Sequence, residues 1–208
     1  MTFPEASRRR FLRTAAVAAA PLPALGALAP PAAARSADSR SADSRSTEGR
    51  RWTGHWPADL KDAVVRAMPA AVEWARPARW PFGAVLVDAA SGDVVAGARN
   101  TTEKSGDMTA HAELNLLREA AAAGRDLPSY VVVSTAEPCA MCAGALLWAG
   151  VRGVAYGTSV VTLVSHGLPQ IDLPFGEVVQ RSDLPGPRPA VGREVRTDLT
   201  DPLYRRPG

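Results

Sequence analysis

The sequence predicts an α/β domain: a mixed β-sheet with helices packed on both of its faces. Three observations carry that expectation. An apolar hairpin signal, "FGAVLVDA", then "SGD", then "VVAGARN", occupies residues 82–100. Two further strand-like runs, "YVVVST" (130–135) and "VRGVAYG" (151–157), alternate with helical segments. That alternation calls for crossover helices, which cover the faces of a sheet.

The elements follow in order. "PADLKDAVVRAMPAAVEWA" (57–75) places Leu60, Val64, Met68 and Val72 at helical spacing, with Pro57 at the tolerated first turn. Pro69 lies inside the pattern and is expected to kink or split it. After the hairpin, "MTAHAELNLLREAAAAG" (108–124) reads as a helix that stops at Gly124. The β-branched 130–135 run is a central strand. "CAMCAGALLWAG" (139–150) is again helical and ends at glycine, and "TSVVTLVSHG" (158–167) is a further helix. Beyond it, "EVVQR" and "GREVRTDL" are each expected as a short strand.

The chain has 208 residues, room for one domain with a substantial core. Its N-terminus has a basic stretch, Arg8 to Arg13, an apolar run broken by prolines, and Ala32-Ala33-Ala34. This is the layout of an export signal over residues 1–34, too short to span a membrane as an anchor. "SRRRFLR" resembles the twin-arginine form of that signal, so a periplasmic or extracellular location is expected. Residues 35–51 begin with the repeat "RSADSRSADSR" and read as a flexible linker; the folded domain is placed at 52–208. Without residues 1–34 the chain carries 20 basic and 20 acidic residues, so the pI of 9.2 comes mainly from the signal. A near-neutral domain argues against a nucleic-acid partner. Arg193, Arg196, Arg205 and Arg206 are interleaved with Asp198 and Asp201 and read as solvated surface.

The only cysteines, Cys139 and Cys142, stand three positions apart at a helix start, where both thiolates can face one ion. Of the three histidines, His55, His111 and His166, only His111 opens a helix with an acid close behind, Glu113. One His and two Cys match the three-ligand set of a catalytic zinc, which keeps its fourth position for water. Glu113 would then sit beside the metal without ligating it and carry a proton. A disulfide or thiol-redox pair is the rival reading for an exported chain, and it leaves His111 and Glu113 without a role.

His111-Ala112-Glu113 and Pro138-Cys139-Ala140-Met141-Cys142 reproduce the H-x-E…P-C-x-x-C pattern of zinc deaminases acting on nucleobases. With "PFGAVLVD" (81–88), Asn100 and "TAEPCAMCAGAL", the chain resembles the cytidine deaminase-like superfamily over roughly residues 58–165. Within it the chain looks like the branch of guanine and tRNA adenosine deaminases. The resemblance implies a three-layer α/β/α fold with a mixed five-stranded sheet, one Zn2+ per chain on His111, Cys139 and Cys142, and Glu113 as catalytic proton carrier. It further implies substrate contacts from Asn100, from Phe82, Gly83 and Ala84, from the backbone of Ala112, and from Glu137. Trp148 matches an aromatic pocket residue of guanine deaminases; core packing is its other reading. The implied activity is hydrolytic deamination of a nucleobase or nucleoside, a small-molecule partner, by a homodimer. RNA editing and a non-catalytic zinc-stabilised binding domain are the alternatives. Asp172, Phe175 and Tyr204 are candidates to close the pocket from the C-terminal segment.

Overall fold

A computed structural model describes residues 51–205. Residues 1–34, expected as an export signal, nearly all of the expected linker, and Arg206 lie outside the described residues. The strands are β1 (Trp52–Thr53), β2 (Gly83–Asp88), β3 (Val94–Arg99), β4 (Tyr130–Ala136), β5 (Gly153–Thr158) and β6 (Ala190–Gly192). The helices are α1 (Ala58–Ala75), α2 (Thr102–Ser105), α3 (Ala112–Ala122), α4 (Ala140–Trp148), α5 (Val160–Ser165), α6 (Phe175–Arg181) and α7 (Thr197–Tyr204).

Among the described residues these strands form one mixed six-stranded sheet in the order β1-β6-β5-β4-β2-β3. The β2–β3 and β2–β4 pairs are antiparallel, whereas β4–β5 and β5–β6 are parallel. The sheet has one strand more than expected. The extra strand is β1, a two-residue edge pairing antiparallel with β6, too short to leave a periodic signal in the sequence.

Side-chain alternation builds the layers. Val85 and Val87 of β2, with Val131 and Val133 of β4, pack against Leu60, Val64, Met68 and Ala71 of α1. Their neighbours Ala84, Leu86 and Val132 point the other way, onto Leu116 of α3, Leu146 of α4 and Phe175 of α6. Burial on both faces is why these strands read as continuous apolar runs.

Three expectations about elements are corrected. Pro69 does not split its helix: α1 is a single 18-residue helix through it. Pro69 lies on the exposed face, where water can take the carbonyl that its missing N–H leaves free. "EVVQR" is not a strand but the body of α6, with Phe175 and Val179 buried one turn apart and Arg181 bonded to Glu177 at 3.0 Å. In "GREVRTDL" only Gly192 belongs to a strand; Arg196 takes a left-handed conformation (φ 55°) and α7 begins at Thr197. Among the described residues no helix is long and apolar enough to cross a membrane.

Candidate metal centre and active site

Two helix N-termini converge on the site. His111 is the N-cap of α3 and Cys139 the N-cap of α4, both with extended backbone, while Cys142 lies in the first turn of α4. Partial positive charge at a helix start favours thiolates there. Both cysteines are free, and the donor atoms of His111, Cys139 and Cys142 lie within 4.8 Å of one another.

Each sulfur is 3.6 Å from His111 Nδ1. A tetrahedral zinc, with Zn–N of about 2.0–2.1 Å and Zn–S of about 2.3 Å, holds N and S about 3.6 Å apart. The donor set therefore fits zinc in type and in spacing. Cys139 is held down to about 4 by its hydrogen bond with Cys142, aided by His111, while Cys142 is pushed up by Cys139 and by burial. His111 is raised by its bond to Cys139.

Glu113, in the first turn of α3, is 5% exposed and lines the adjoining cavity. Its Oε1 accepts a hydrogen bond from Ser134 Oγ at 3.0 Å. Burial pushes its carboxyl above the ordinary glutamate range.

The cavity has a volume of about 480 Å³, and Trp80, Phe82, Asn100, Ala136, His111 and Cys139 stand along it. Asn100 Oδ1 accepts from the Thr102 backbone N–H at 3.0 Å and from its hydroxyl at 2.8 Å, leaving the amide N–H groups for a ligand. Phe82 is held from behind by Tyr204, ring centroids 5.0 Å apart.

The remaining expected contacts are placed differently. Gly83 and Ala84 do not line the cavity; they are buried within β2. A Cβ on Gly83 would come within 2.6 Å of Ala75 N, so its glycine is needed for the close approach of α1. Ala112 is likewise fully buried and off the cavity wall.

Glu137 does border the cavity, but its carboxylate is spent on backbone. Oε2 accepts from Val160 N–H at 2.9 Å and Oε1 from Phe175 N–H at 2.8 Å, the first residues of α5 and α6. Trp148 is neither pocket nor core: it is 78% exposed at the end of α4. It lies two positions beyond buried Leu146, about 200° round the helix.

Sequence reasoning missed the wall opposite, made by Leu163, Leu168, Pro169, Gln170 and Ile171. It also missed Asn115, whose Nδ2 reaches Arg99 O (2.9 Å), Thr101 Oγ1 (2.9 Å) and Ala110 O (3.2 Å). Asn115 thereby ties the loop of Asn100 to that of His111. Of the suggested closing residues, Phe175 and Tyr204 are buried supports, and none of the three lines the cavity. Arg196 is held by both oxygens of Asp198, so the arginine cluster is partly neutralised on the spot.

Residues 59–158 match the cytidine and deoxycytidylate deaminase zinc-binding region. The chain is 44% identical over 107 residues to a tRNA(Ile)-lysidine synthase of Deinococcus radiodurans, covering 50% of this chain and 18% of that protein. It is 38% identical over 78 residues to the guanine deaminase of Bacillus subtilis, covering 36% of this chain and 49% of that enzyme. The chain thus spans about half, or less, of the length of these relatives. A solved structure from work on A-to-I editing by tRNA:A34 deaminases superposes with a TM-score of 0.55 at 29% identity, covering 66% of this chain and 98% of that one. The metal donors and Glu113 all fall inside the region that matches the cytidine and deoxycytidylate deaminase zinc-binding region.

Proposed function

We propose that the protein hydrolytically deaminates a free nucleobase or nucleoside, with a guanine-like purine as the leading substrate. The observation that carries this is Glu113: a buried carboxylate on the cavity wall beside a three-donor metal site. Metal binding alone has no need of it. The identity to a guanine deaminase supports the purine. Trp148 no longer does, being exposed.

Zinc on His111, Cys139 and Cys142 would supply a water activated as nucleophile at neutral pH. Trp80 and Phe82 would pack against the ring, and the Asn100 amide would donate to it. Glu113 takes the proton released when water adds to the amino-bearing carbon and gives it to the ring nitrogen. A second transfer protonates the amine; the C–N bond breaks, a carbonyl remains and ammonia leaves. Ser134 keeps Glu113 Oε1 oriented throughout.

The test is ammonia release from guanine, adenine, cytosine and their nucleosides. Glu113→Ala should remove turnover while zinc stays bound; retained turnover refutes the role of Glu113. Adenosine editing in RNA is the second reading, favoured by the 98% coverage of the tRNA:A34 deaminase structure. An anticodon stem-loop in the same panel tests it. Export through residues 1–34 and homodimerisation belong to the proposal as well. The exposed Met141 and Trp148 on α4 are apolar surface that a second copy would cover.

A further inference from the structure

Most polar side chains on the cavity wall already have an assignment. His111 and Cys139 are metal donors, Glu113 holds the proton, and both oxygens of Glu137 are filled by backbone N–H groups. The Thr102 backbone N–H and hydroxyl both donate to Asn100 Oδ1, which leaves Asn100 able only to donate. One lining side chain keeps an unspent donor and an unspent acceptor together. Gln170 is half-buried, borders the cavity, and makes no hydrogen bond among the described residues.

Its backbone is well placed for recognition. Gln170 lies between α5 and α6, and the first residues of both helices bond to the one Glu137 carboxylate. Leu163 and Leu168 further anchor the segment against Ala136 and Tyr204. Gln170 also falls beyond the matched region 59–158.

We propose that Gln170 is the specificity-determining residue of this cavity and reads the lactam edge of the base, a ring carbonyl beside a ring N–H. A carboxamide donates to the carbonyl and accepts from the N–H at the same time. Guanine presents that edge and adenine does not. A site built to bond such an edge discriminates against a ring that lacks it, because its own polar groups are then left unpaired. The inference rests on the deaminase reading for the kind of ligand.

The test is equilibrium binding of hypoxanthine and of unsubstituted purine to the zinc-loaded full chain. Hypoxanthine carries the lactam edge and has no amino group to lose. The wild-type protein should prefer hypoxanthine about tenfold, and Gln170→Leu should abolish the preference. No preference in the wild type, a preference that survives Gln170→Leu, or equal weakening of both bases by that variant overturns the assignment. Gln170→Glu, which keeps size and polarity but loses the donor, should also lose the preference. Ammonia release from guanine is read in parallel. Its absence alongside an intact, Gln170-dependent preference overturns the deaminase reading and upholds Gln170. Its presence without a preference overturns Gln170 alone.

Discussion

Replacing Glu137 by Gln changes one oxygen into an amino group at constant shape. In the native protein the two carboxylate oxygens accept from Val160 N–H at 2.9 Å and Phe175 N–H at 2.8 Å. The variant can keep one of these bonds; at the other, two donors face each other in a buried setting. A hydrogen bond to a charged group contributes about 1.5–3 kcal/mol. The surviving bond falls to roughly half its strength when its acceptor becomes neutral. The expected loss is therefore about 2–4 kcal/mol. With a urea m-value of about 2 kcal/mol/M, the unfolding midpoint should drop by about 1–2 M, compared at equal zinc occupancy. Because α5 and α6 frame the wall of Leu163, Leu168 and Ile171, KM should rise while zinc content stays at the wild-type level. A midpoint shift below about 0.5 kcal/mol equivalent together with an unchanged KM would refute the reasoning.

The other outcomes can be stated together. Purified protein should contain close to one zinc per chain, and His111→Ala or Cys142→Ser should lose it on metal analysis; full retention by either variant contradicts the donor assignment. Trp148→Ala should leave KM unaltered, since that side chain is 78% exposed and off the cavity. A raised KM would return Trp148 to the substrate. Residues 1–34 fused to a reporter should direct its export, and changing Arg8 and Arg9 to Lys should stop it; export that persists would undo the twin-arginine assignment.

Elements with a strong local pattern were legible in advance. β2 and β4 alternate between two buried faces, and α3 and α4 begin where the sequence places His111 and Cys139. The helix α6 was readable too, from Phe175 and Val179 four residues apart, but "EVVQR" taken alone looks β-branched. Pro69 misled for a different reason. Its cost depends on whether water can reach the freed carbonyl, and that depends on which side of α1 faces the sheet.

The amino-acid sequence by itself determined the chemistry of the metal centre. Its donors and Glu113 lie in two short motifs, and each motif starts a helix, so local backbone geometry aims the side chains before any packing is known. Only the tertiary structure decided which side chains line the cavity. Glu137 stands beside a metal-ligand motif, yet its partners lie 23 and 38 residues away, and no spacing rule could reveal that it seats helices rather than substrate. Trp148 depended on which face of α4 turned outward, and the wall at 163–171 on how that segment returned across Ala136. Bond geometry within a helical turn is a local property; the choice of which turns meet around a cavity is made by burial of the whole core.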